Sequence, residues 1–178
     1  DEEVVLQTNE YEPNKRVVSI QNDDPWRSAW TTVVEEHERP MEVSSAGGYL
    51  FARILEDARH TVTQYDYRGS HVADVSLPGR GHVHGFSGSR TDDIVYFTYT
   101  DHLTPPTVLR YDMNGGGEEV FEPSVALDTD DYVSYQVFYT SKDGTEIPMT
   151  ITHREDVERD GENPVMMFGY GGFGVSLT

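Results

Sequence analysis

Thr61-Val-Thr-Gln-Tyr-Asp66 returns 46 residues later as Thr107-Val-Leu-Arg-Tyr-Asp112. Each hexapeptide reads as a short strand that runs through its tyrosine into a turn. Ile20, at the end of Arg16-Val-Val-Ser-Ile20, precedes Tyr65 by 45 residues. Between these markers, further strands are predicted over residues 29–34, 49–55, 72–77, 94–100 and 118–121. A period in the mid-forties with about four short strands per period is the spacing of β-propeller blades. Arg68-Gly69, Pro78-Gly79 and Asn114-Gly115 fall where such blades need tight turns. Each blade is a small antiparallel sheet that buries its faces against its neighbours. Two full blades and a partial one cannot close a ring, so further sequence is expected upstream. A β-sandwich with coincidental spacing is the alternative.

Beyond the repeats the pattern changes. From Glu122-Pro123 to Asp131 the chain is polar and acidic, as a linker would be. Strands are predicted over 132–139 and 147–152, joined by a hairpin turn at Lys142-Asp-Gly144. A charged loop spans 154–162. Residues 165–168, Val-Met-Met-Phe, then read as a third, more buried strand that breaks into Gly169-Tyr-Gly-Gly-Phe-Gly174. Strand ends running into such turns are where α/β enzymes place active-site groups. Tyr170 can present a neutral phenol as a hydrogen-bond donor, since its reference pKa is about 10. Phe173 can form an apolar wall. On the residues alone, a tight turn with two rings packed into a core is the better account of the segment.

Several chemistries find no support. With no cysteine, the chain has neither disulfide nor thiolate. No G-x-S-x-G nucleophile elbow is present. Gly85-Phe-Ser-Gly-Ser89 comes closest, but it has serine where the last glycine belongs and it sits inside the repeats, as a blade loop would. His82 and His84 alternate on one face of a possible strand, with His102 further on. No acidic partner stands at ligand spacing and H-E-x-x-H is absent, so no metal and no cofactor are expected. Gly115-Gly-Gly117 fits a hairpin tip, because no lysine or helix start comes after it. The acidic runs at Asp23-Asp24, Asp92-Asp93 and 128–131 read as solvated surface, with Ca²⁺ binding as the alternative.

The formal net charge is −19, from 32 acidic and 13 basic residues. Such a surface repels nucleic acid and anionic membranes, so neither is an expected partner. Lys15 and Lys142 are the only lysines. Acidic excess with scarce lysine suits a protein that works in high salt, where charges are screened beyond about 3 Å at 1 M. A halophilic source is therefore expected, with an ordinary acidic protein as the alternative, and the location is expected to be cytoplasmic. No signal peptide and no run long enough to span a bilayer are present.

Ser141-Lys-Asp-Gly-Thr-Glu-Ile-Pro-Met149, with Gly169-Tyr-Gly-Gly-Phe-Gly174 after it in the chain, resembles the prolyl oligopeptidase family of serine peptidases where its α/β-hydrolase domain begins. The resemblance is close over 132–178 and looser before it. It implies a mostly β chain holding the last blades of a seven-bladed β-propeller over 1–124. Residues 125–178 would be the linker and first strands of the α/β-hydrolase domain, cut before the nucleophile. The parent would hydrolyse short peptides after proline through an acyl-enzyme, while this chain alone, lacking the Ser/Asp/His triad, would be inactive. By the same resemblance, Tyr170 donates to the oxyanion and Phe173 walls the proline pocket. Short proline-containing peptides are thus the implied partners. An oligopeptidase B-like enzyme cleaving after Arg or Lys is the nearer alternative; Gly171-Gly-Phe173 leans toward proline. A propeller-type binding module without enzymatic descent, or a β-sandwich scaffold, is the more distant one.

Overall fold

In the computed structural model the described residues are 3–113, 117–121, 123, 128–173 and 177. They form three antiparallel sheets and a hairpin. β1 (Glu3–Thr8), β2 (Arg16–Gln21) and β3 (Thr31–Val34) make a three-stranded sheet. β4 (Met41–Ala46), β5 (Tyr49–Glu56), β6 (Arg59–Tyr65) and β7 (His71–Asp74) make a four-stranded one. β8 (His82–Gly85), β9 (Ile94–Thr100), β10 (Thr107–Asp112) and β11 (Gly117–Phe121) repeat it. β12 (Tyr132–Thr140) pairs only with β13 (Glu146–Arg154). Within every sheet the strands are neighbours in chain order, which is the up-and-down meander of a propeller blade. The chain is mostly β, as expected.

The first strands of the sheets are what the sequence concealed. β1 and β4 were not expected, and β8 only as a possible strand. β4 is Met-Glu-Val-Ser-Ser-Ala and β8 is four residues ending in glycine, so neither carries a run of β-branched or aromatic residues. The strand expected over 29–34 begins at Thr31, because Arg27–Ala29 forms a single 3-10 turn. The turns at Arg68-Gly69 and Lys142-Asp-Gly144 close their hairpins as expected, whereas Asn114-Gly115 and Gly174 lie outside the described residues.

A larger difference concerns 165–168. This segment is no strand, and Val165, Met166, Met167 and Phe168 are 78–93% exposed. A strand needs a neighbour to take its N–H and C=O groups. Among the described residues no strand pairs with this segment, so apolar composition alone does not make it one.

The repeated Tyr-Asp pair now has a physical meaning. Asp66 accepts hydrogen bonds from the backbone N–H groups of Arg68 and Ser70, both at 2.8 Å, and so closes the β6–β7 turn. The bonds from Ser70 and Arg68 hold its carboxyl below the usual carboxylate range. The tyrosine before it packs between sheets: Tyr65 against the first interface, Tyr111 within the second. Gly69 completes the turn at φ +82°, with its N–H on the Asp66 carbonyl at 3.0 Å. A Cβ there would come within 1.8 Å of the Val33 carbonyl oxygen on β3, so this turn is also pressed against the preceding sheet.

β5 is buried on both faces. Leu50, Ala52 and Ile54 join Val17, Val34 and Met41 in one core between the first and second sheets. Phe51, pointing the other way, joins Val62, Val83, Phe86, Val95, Phe97, Tyr99 and Tyr111 between the second and third. There Phe86 stacks on Phe51 at 5.0 Å and on Phe97 at 4.4 Å between ring centroids. Polar side chains cross the same seams. The Gln7 amide donates to the Met41 carbonyl at 3.0 Å and accepts from the Val43 N–H at 3.3 Å, joining β1 to β4. The Tyr111 hydroxyl donates to buried Gln64 at 2.9 Å, joining β10 to β6.

Gly69→Ala is expected to destabilise the fold well beyond the roughly 1–2 kcal/mol that a left-handed backbone costs an ordinary residue. Gly144→Ala is the comparison. Gly144 has φ +88° but no atom within 4 Å of an added Cβ, so it bears the conformational cost alone. Urea unfolding of the two variants should differ clearly; equal losses would remove the contact between the β6–β7 turn and β3.

Candidate functional site

The glycine turn places Tyr170 and Phe173 on one short exposed segment. Tyr170 is half exposed at 51%, and its ring lies over Gly172, within 3.7 Å of where a Cβ would stand. Among the described residues its hydroxyl has no hydrogen-bond partner, so the phenol is available to donate outward. Phe173 has φ +58° and is 97% exposed. A bulky residue in the left-handed region is uncommon and costs energy unless something uses it. Among the described residues neither ring is packed into a core. The turn offers a neutral donor and an apolar face, the two things needed to bind a polarised carbonyl beside an apolar ring.

Gly85-Phe-Ser-Gly-Ser89 is a blade loop, as expected. Phe86, at φ +62°, drops fully into the core, while Ser87 is exposed with no base beside it among the described residues. His82 and His84 do not converge with His102. Among the described residues no group of three or more His, Asp or Glu is placed to hold a metal ion. No helix among them is long and apolar enough to cross a membrane.

The sequence did not reveal a different histidine pair. His60 on β6 and His82 on β8 meet across the seam between sheets, with centroids 4.6 Å apart. The Nδ1 atom of His60 accepts the Val83 N–H at 3.0 Å, which requires that nitrogen to be unprotonated. Burial, then His82 and Arg53, push the His60 pKa down to about 4. Burial, then Arg53 and His84, lower that of His82 as well. The Arg53 guanidinium crosses the same seam to the Val83 carbonyl at 3.2 Å. Their separation of 22 residues fits no local motif, so only the packing of two sheets brings them together. This is a neutral structural joint, not a proton-transfer site.

His60 binds a proton in the unfolded chain below its ordinary pKa of 6.5 but in the folded chain only below about 4. Its contribution is therefore present above 6.5 and lost as the pH falls toward 4. In 1 M salt, which mutes the opposing relief of acidic self-repulsion, the thermal midpoint should fall between these values. His60→Gln, which keeps an acceptor for Val83, should flatten that fall. An unchanged slope would contradict the assignment.

The family model for the N-terminal β-propeller domain of prolyl oligopeptidase matches residues 1–124. Prolyl endopeptidases of Elizabethkingia meningoseptica and Elizabethkingia miricola are 42% and 41% identical over 173 residues, which is 97% of this chain and 24% of theirs. The prolyl oligopeptidase ophP of Omphalotus olearius is 32% identical over 98% of this chain and 24% of its own. A solved structure from work on two prolyl endopeptidases superposes with a TM-score of 0.90 and 34% identity, covering 99% of this chain and 26% of that one. The chain spans about a quarter of the length of the curated relatives it matches.

Proposed function

The chain belongs to the prolyl oligopeptidase family, and from that premise we propose that it is part of a serine-type endopeptidase that cleaves short peptides after proline. Residues 1–124 are then the last blades of the propeller, and 125–178 the linker and opening strands of the α/β-hydrolase domain. The observation that carries this reading is the 42% identity to a prolyl endopeptidase across 97% of the chain. That span includes the glycine turn as well as the blades. The sequence has no G-x-S-x-G elbow, so the serine, acid and histidine of the acyl-enzyme mechanism belong to other parts of the parent, and these residues alone are inactive.

Tyr170 supplies the oxyanion donor in this proposal. When a serine attacks the scissile carbonyl, the oxygen takes on negative charge, and a phenol O–H with no partner among the described residues can meet it. Phe173 supplies a flat apolar wall for the pyrrolidine ring, which demands no hydrogen bond. Short proline-containing peptides are the partners. In the parent, Tyr170→Phe should lower kcat/KM on a Gly-Pro fluorogenic peptide by about 10²- to 10³-fold. Cleavage only after Arg or Lys would move the protein to the oligopeptidase B-like group, and an unaffected Tyr170→Phe variant would remove the oxyanion role.

We further propose a halophilic source and a cytoplasmic location. The net charge of −19 with two lysines supports this, since such a surface repels itself until salt screens it. The thermal midpoint should rise steadily from 0.1 M to about 2 M KCl, over which the screening length shrinks from about 10 Å to below 3 Å. A midpoint flat across that range would fit an ordinary acidic protein instead.

A further inference from the structure

We infer that Gln136 is a clasp that seats the β12–β13 hairpin on the second blade, with the Asp57-Ala58 turn and Arg80 as its socket. The Gln136 amide is used in both directions. Its Nε2 donates to the Asp57 carbonyl at 2.6 Å, and its Oε1 accepts from the Arg80 guanidinium at 2.8 Å. A side chain that both donates and accepts fixes its partners in one orientation. A carboxylate, which only accepts, or an ammonium, which only donates, could make just one of the two bonds.

The socket is built from two separate loops. Asp57 and Ala58 form the tip between β5 and β6, and Arg80 lies in the passage from β7 to β8. They are brought together by the blades themselves, through the bond from the His60 N–H to the Gly81 carbonyl at 2.9 Å. The tip is strained. Asp57 has φ +49° and Ala58 φ +56°, both in the left-handed region that favours Asn-Gly at such a turn. Strain of this kind persists where the surroundings hold it and a function uses it. The function inferred is presentation of the Asp57 carbonyl to the hairpin.

The clasp matters because little else joins the two parts. Both buried cores are made of residues 17–111, and no described residue from 128 onward is buried. Among the described residues the hairpin's other hydrogen bonds and ion pairs stay within 128–163. Arg159 stacks on Tyr135 at 5.3 Å and bonds to its hydroxyl, and Glu155 bonds to the Asp131 carbonyl at 2.8 Å. Two polar bonds, one half-buried and one exposed, therefore set where the hairpin rests. This goes beyond the peptidase reading and stands without it, since no activity is measured.

The absence of cysteine gives a direct test on the 178-residue chain. Spin labels at Arg68→Cys and Lys142→Cys, on exposed turns of the blade and the hairpin, report their separation by pulsed dipolar spectroscopy. With Gln136 present, one narrow distance distribution is expected. Gln136→Ala and Arg80→Ala should each at least double its width, while the far-ultraviolet circular dichroism of the blades stays the same. Gln136→Glu, which keeps the acceptor but cannot donate to Asp57, should broaden it too. A distribution that is already broad with Gln136 present, or that stays narrow in Gln136→Ala, overturns the clasp. A narrow one in Gln136→Glu overturns the role of the Asp57 carbonyl.

Discussion

The two faces of β5 hold this molecule together. Leu50, Ala52 and Ile54 complete one core, and Phe51 anchors the other. Fully burying a side chain of this size is worth about 1.5–3 kcal/mol, and a net hydrogen bond about 1 kcal/mol. The apolar alternation of one strand thus outweighs any single polar contact across the seams. The polar contacts do something else. Gln7 on β4, Tyr111 on Gln64 and His60 on Val83 each join particular atoms on two sheets. Apolar burial drives the sheets together, and these bonds choose the register in which they meet.

The same balance of forces separates the blades from the β12–β13 hairpin. Blades have cores on their faces; the hairpin has half-buried residues at most. Its strands are well paired with each other over nine positions, from Tyr132↔Arg154 to Thr140↔Glu146. Pairing alone makes a two-stranded ribbon only marginally stable in water. Its position on the second blade therefore depends on a few directed contacts, whereas the position of one blade on the next depends on packed area.

Much of the fold was legible in the sequence, for reasons visible in particular residues. Tyr65 and Tyr111 recur because each ring fills a seam, and Asp66 comes next because it closes a turn. The packing role of the tyrosine repeats from sheet to sheet, so the period shows. β4 escaped notice because Glu42, Ser44 and Ser45 give it no apolar pattern, although Met41 and Ala46 are buried at its ends. The segment 165–168 shows the opposite failure, since its apolar run marks what could be buried and not what is. At the candidate site, Tyr170 and Phe173 were found through their glycine setting. His60 and His82, or Gln136 and Asp57, are joined only by tertiary packing and leave no local trace.

The chain-order layout of the sheets has a kinetic side. Each strand pairs with its immediate neighbour in sequence, and each core is shared by adjacent sheets only. No strand must wait for a distant partner, so loop closure is cheap at every step. Such stacks gain stability by nearest-neighbour terms and can grow from any formed unit. During synthesis, the second sheet can complete its seam with the first once Tyr65 and Tyr67 have left the ribosome, since both pack against that core. Assembly would advance in steps of one blade, and a stalled step would leave the two faces of β5 unequal, one covered and one waiting.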